Sequence, residues 1–173
     1  MKRLWRLALA GLLIMGLYNP VWAKNKFERE VDIETVAVKL AREIQRGGYG
    51  IVATGELKQW LDAGKNMLIV DTMPYDASYK KGNIPGARQF LFPVPEMTAW
   101  DTKETNGKTQ TDYERLLGKD KNRLIVIYCG FTKCGRSHNG AAWAVKLGYK
   151  NVYRYPGGIF AWKGADYPQE KAK

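Results

Sequence analysis

The 173-residue chain carries 28 Lys and Arg against 17 Asp and Glu, a formal net charge of +11, with two cysteines and one histidine. Its basic residues are interspersed with acidic ones, as in Lys39, Arg42, Glu43 and Arg46. The charge therefore reads as solubility and attraction for small anions, and it excludes a nucleic-acid stripe. Two Cys and one His are too few for a closed zinc site, and no Gly-rich nucleotide loop is present, so no metal and no cofactor is expected.

In chain order, Lys2, Arg3 and Arg6 precede an apolar run from Leu7 to Leu17, then Asn19-Pro20, then Val21-Trp22-Ala23. A basic start, an apolar stretch short of the roughly 20 residues a bilayer needs and a small terminal residue predict a secretory signal cleaved after Ala23. The remaining 150 residues carry a net charge of +8, the length of one ordinary domain. They are expected in the periplasm or another exported location, with no stable membrane insertion.

Ile33, Val36, Ala37, Leu40 and Ile44 recur at helical spacing, which predicts a helix over 31–46, capped by Asp32 and closed by Gly47-Gly48. Ile51-Val52-Ala53 is a short strand, and Thr54 caps a helix presenting Leu57, Trp60 and Leu61. Met67-Leu68-Ile69-Val70, ending at Asp71, is a continuous apolar run of the kind a parallel sheet buries on both faces. A short helix is predicted over 74–81, an apolar extended stretch at Phe90-Leu91-Phe92, and a long polar surface connection over 93–122 with one helix near 111–117. Leu124 to Tyr128 is a strong buried strand. A helix capped by Ser137 follows, with Ala141, Ala142, Val145 and Leu147 inward, then a strand at 151–154 and a short helix around Phe160 to Trp162. Strands alternating with helices make the chain α/β with a mainly parallel sheet.

Chemistry gathers in the loop from Cys129 to Arg136. Cys129 ends a strand, where open parallel sheets place their ligand sites. The helix that follows turns its free N–H groups and positive end into the loop, a field that lowers a thiol pKa. Gly130, Phe131, Thr132, Lys133, Gly135 and Ser137 can turn amides and hydroxyls toward an anion. Arg136 supplies a bidentate cation. A disulfide between Cys129 and Cys134 would close a very small ring and stabilise little. Asp71, at the same sheet edge, and His138, two residues past Arg136, are auxiliary candidates.

Leu68-Ile69-Val70-Asp71-Thr72, Asn83-Ile84-Pro85-Gly86-Ala87, Ile127-Tyr128-Cys129 through Arg136-Ser137, and Gly157-Gly158 with Trp162 resemble, in this order and spacing, the rhodanese-like sulfurtransferase family. The resemblance implies a three-layer rhodanese-like fold over residues 51–168, with 24–50 as an N-terminal helical extension and 169–173 as a tail. It implies Cys129 as a persulfide-carrying nucleophile, a small anionic sulfur donor such as thiosulfate, and a thiol or other thiophilic acceptor, a protein among the candidates. Two features depart from the family pattern. Six residues rather than four separate Cys129 from Arg136, and the loop holds a second cysteine. Cys134 is left open as a resolving thiol, as the nucleophile itself, or as a passive residue. A dithiol module that transfers no sulfur is the alternative function, with a phosphatase or arsenate reductase behind it.

Overall fold

The computed structural model describes residues 24–172, so the expected signal segment lies outside the described residues. Among the described residues no helix is long and apolar enough to cross a membrane. The elements are α1 (Lys26–Gly47), β1 (Gly50–Ile51), α2 (Thr54–Asp62), β2 (Met67–Asp71), β3 (Arg88–Gln89), α3 (Gln110–Leu117), β4 (Leu124–Tyr128), α4 (Arg136–Lys146), β5 (Asn151–Tyr155) and α5 (Gly158–Gly164). The five strands form one parallel sheet in the order β1-β5-β4-β2-β3.

Strand alternation divides the core in two. Leu68, Val70, Ile125, Ile127 and Val152 face Tyr113 and Leu117 of α3 and Trp143 of α4. Ile69, Val126, Tyr128 and Tyr155 face Leu57 of α2 and Ile159 and Trp162 of α5. Both faces are covered, which is why β2 and β4 read as unbroken apolar runs. The expected α/β, three-layer architecture is the observed one.

Some boundaries differ from the expectation, each for a local reason. Helix α1 starts at Lys26 because Asn25 and Glu28 form a capping box, a stronger start than Asp32, which lies inside the helix and pairs with Lys24 at 2.6 Å. Residues 74–81 form turns and a single 3₁₀ turn, Tyr79–Lys81, in place of an α-helix. Strand pairing at the sheet edge is confined to Arg88–Gln89. Phe90 and Phe92 follow it, donating their amides to the carbonyls of Asp71 and Thr72 and burying their rings against Tyr113 and Trp100.

The connection over 93–122 is more than a surface excursion. The Asn139 side chain on α4 donates to the carbonyls of Pro93 (2.9 Å) and Pro95 (2.7 Å) and accepts from the Met97 amide (2.9 Å). Trp143 Nε1 donates to the Met97 carbonyl at 2.9 Å. Helix α1 packs along α4 and is likewise part of the folded body.

Candidate functional site

The loop after β4 lies at the carboxyl ends of β2, β4 and β5. One wall is made of backbone. Gly158 has φ +60°, and the amides after it donate to the loop, Ile159 N to the Cys129 carbonyl and Phe160 N to the Gly130 carbonyl, both at 2.9 Å. A Cβ on Gly158 would stand 2.3 Å from the Cys129 carbonyl oxygen, so only glycine allows this approach. Gly135 is similarly tight, with the Val94 carbonyl oxygen 2.1 Å from where its Cβ would be.

The opposite wall is made of side chains. Arg154 of β5, fully buried, donates through Nε to Ser137 Oγ (2.9 Å) and through Nη2 to the carbonyls of Cys134 (2.9 Å) and Thr132 (3.3 Å). Its Nη1 pairs with Glu43 of α1 at 2.5 Å and reaches Tyr49 Oη at 3.4 Å. Lys39 Nζ, also from α1, donates to the Lys133 carbonyl at 3.0 Å.

The two cysteines are free and occupy different levels of the loop. Cys129 is wholly enclosed, its Sγ 3.2 Å from Ser137 Oγ and 3.5 Å from the Cys134 carbonyl oxygen. Burial pushes its thiol well up from the ordinary value. Cys134, 9% exposed, is held below the ordinary thiol value by the neighbouring Cys129 thiol and by the backbone and charge of Arg136. Burial thus opposes ionisation of Cys129, while the surroundings of Cys134 favour it.

The other expected site residues fall into three groups. Gly130, Thr132, Lys133 and Gly135 contribute backbone, while Phe131, 45% exposed, packs its ring on Phe160 at 5.4 Å. Ser137 does not cap α4, which begins one residue earlier; its hydroxyl is engaged by Cys129 and Arg154 instead. The Arg136 guanidinium is anchored on the Phe92 carbonyl yet close enough to act on the Cys134 charge.

Asp71 is brought to the loop. Its Oδ1 accepts the Met73 amide at 2.8 Å, its Oδ2 has no hydrogen-bond partner, and burial raises its carboxyl to about 6. His138 faces α1 rather than the cysteines, with Nδ1 2.8 Å from Tyr49 Oη and Nε2 3.7 Å from Glu96. Burial lowers its pKa, so it is neutral at pH 7. A groove of about 690 Å³ runs beside it between α1 and residues 94–96, and neither cysteine lines it.

Arg154, Glu43 and Tyr49 are absent from the sequence-derived site. A signal for Arg154 exists in the strand pattern: it shares the inward face with Val152, where a lone cation demands a partner. Glu43 likewise lies on the helix face of Leu40, Ile44 and Gly47.

Residues 53–165 match the family model described as the rhodanese-like domain. The chain belongs to the rhodanese-like domain family. A curated relative, rhodanese-like domain-containing protein 14, chloroplastic, of Arabidopsis thaliana, is 29% identical over 141 residues, covering 65% of this chain. The match spans 61% of that relative's length. A thiosulfate sulfurtransferase structure from Pseudomonas aeruginosa superposes with a TM-score of 0.57 at 21% identity, covering 82% of this chain and 24% of that one. The polysulfide-sulfur transferase homodimer of Wolinella succinogenes superposes with a TM-score of 0.53 at 12% identity, covering 86% and 96%. At these identities the structural likenesses speak for the rhodanese-like fold.

Proposed function

We propose that this rhodanese-like protein is an exported sulfurtransferase whose first attack comes from Cys134. One observation carries the reading: Cys129 is wholly enclosed, which opposes its ionisation, while Cys134 keeps 9% exposure and its thiol is lowered by the neighbouring Cys129 and by Arg136. The thiolate, not the thiol, is the nucleophile. Cys134 Sγ⁻ attacks the outer sulfur of a small anionic donor such as thiosulfate. The donor's S–S bond breaks, sulfite leaves with the electron pair, and Cys134 holds a persulfide anion. A thiophilic acceptor then attacks the outer sulfur, and Cys134 leaves as the thiolate.

The family resemblance put the persulfide on Cys129. The geometry favours Cys134 for the first attack, because Cys129 is enclosed and its ionisation is opposed by burial. Cys129 is then a resolving thiol: after losing its proton to solvent it can attack the inner sulfur of a Cys134 persulfide, forming a disulfide and expelling hydrosulfide. Export is supported by the sequence from Lys2 to Ala23 alone, and recovery of a chain beginning at Lys24 from the periplasmic fraction is its check.

Intact mass after incubation of the reduced protein with thiosulfate tests the proposal. A gain of about 32 Da, one sulfur, is expected in Cys129→Ser and none in Cys134→Ser; the wild type is expected to show that gain or, where Cys129 has resolved the persulfide, the loss of about 2 Da of a Cys129–Cys134 disulfide. Loss in Cys129→Ser alone returns the persulfide to Cys129. No gain in any form across several sulfur donors leaves the dithiol module in place of sulfur transfer.

A further inference from the structure

We propose that Glu43 and Arg154 are positioning residues for the cysteine loop: α1 supplies the carboxylate that fixes Arg154, and Arg154 sets the loop's shape and aims the Ser137 hydroxyl at Cys129. The inference rests on the loop carrying the reactive thiol, as above, and extends the working site to a helix N-terminal to the stretch that matches the family, residues 53–165.

The argument begins with donors and acceptors. A guanidinium has five N–H donors in a rigid fork and no acceptor. Arg154 directs Nε to Ser137 Oγ, Nη2 to the carbonyls of Thr132 and Cys134, and Nη1 to Glu43 and Tyr49. Three of its contacts are with the loop and the start of α4, so the loop cannot change shape without leaving a buried cation underbonded. Two of the accepting carbonyls flank Lys133, on the span that carries Cys134 into position.

Ser137 adds a direction. Its oxygen accepts the Arg154 Nε–H, so its own proton is available for Cys129 Sγ, 3.2 Å away. A hydroxyl used this way supports negative charge on Cys129 when that thiol ionises to resolve a persulfide.

Glu43 makes the arrangement possible. A cation with no solvent exposure is tenable only with a partner, and Glu43, itself buried, is the carboxylate that meets it. The charged and titratable groups packed around the loop are Glu43 and Lys39 from α1, Tyr49, Arg136 and His138 from α4, and Asp71 from β2. None of these touches the Thr132 and Cys134 carbonyls and Ser137 together, as Arg154 does.

A double variant separates positioning from stability. Arg154→Met alone strands a buried carboxylate and can unfold the protein. Glu43→Leu combined with Arg154→Met replaces the pair by apolar side chains of similar volume, a change that is often neutral or stabilising. The full chain carrying both substitutions is compared with wild type by urea denaturation, by iodoacetamide alkylation against pH with each cysteine located by peptide mass, and by thiosulfate turnover. The expected result is wild-type stability, an alkylation midpoint about one pH unit higher, and kcat lowered about tenfold with thiosulfate KM within about twofold. Arg154→Lys, which keeps the charge but loses the fork, is expected to fall between the two.

A folded double variant with wild-type alkylation and turnover overturns the inference and leaves the ion pair a structural one. The alkylation profile needs no sulfur transfer. A wild type that accepts no sulfur, with a midpoint that still moves in the double variant, therefore sinks the proposed function and keeps the positioning role.

Discussion

The two walls of the cysteine loop are built by different means. The α5 wall is backbone against backbone: a left-handed glycine and two amides meeting the carbonyls of Cys129 and Gly130. The β5 wall is side chain against backbone: one arginine, fixed by a carboxylate from α1, meeting Ser137 and the carbonyls of Thr132 and Cys134. The first wall depends on the absence of a side chain and tolerates no substitution. The second depends on charge balance and can be replaced as a pair. A rigid backbone wall under Cys129 and an electrostatic one beside Cys134 together give two thiols of one loop unlike surroundings.

Three substitutions sharpen that contrast, and the largest effect belongs to the backbone wall. Gly158→Ala forces a Cβ to within 2.3 Å of the Cys129 carbonyl at a positive φ. It is expected to cost about 3 kcal/mol or more in urea denaturation, with loss of the preferential alkylation of Cys134. A cost under about 1 kcal/mol would mean that the wall yields.

Next comes Asp71, which strand alternation places on the α5 side of the sheet. Its native carboxyl value is raised from 3.8 to about 6, so between those values the native state binds more protons than the unfolded one. Stability therefore falls as pH rises through that window and stays reduced above it, by roughly 2–3 kcal/mol in all. Asp71→Asn is expected to gain about 2 kcal/mol at pH 7.5 and to abolish the decline between pH 4 and 6, read from urea midpoints across pH. A wild type whose stability is flat over that range contradicts the assignment.

The smallest effect lies outside both walls. Phe160 is 62% exposed and stacks on Phe131 at the loop's outer surface. Phe160→Ala is expected to cost about 0.5 kcal/mol in the same denaturation assay and to leave the Cys134 alkylation midpoint in place.

The fold was legible because its signals are local. The runs 67–71 and 124–128 are apolar on both faces, and Gly157-Gly158 marks the sharp turn into α5. What the sequence concealed depends on distance. The partner of Arg154 is Glu43, 111 positions away, and strand or helix periodicity carries no term for such a pair. The 93–122 connection looked detached because its polar composition masks the few groups, Met97 and Trp100 among them, that pack beneath it. The loop itself was visible as a thiol site, but the division of labour within it was not. Which sulfur ionises more readily depends on burial and on the charge of Arg136 beside Cys134, neither of which spacing encodes.

The placement of Cys134 has a consequence for what the loop can accept. Cys134 stands within the loop and the charge of Arg136 acts on it, so a sulfur of the protein's own already draws on the field an anion would use. A free tetrahedral oxyanion has to compete with a tethered ligand that never diffuses away, which disfavours phosphate or arsenate as cargo. A molecule that bonds to that sulfur meets no such competition, because it extends the tenant instead of evicting it. Under the proposed function, the loop selects by connectivity, taking what can be stitched onto the resident atom in preference to what merely carries the right charge.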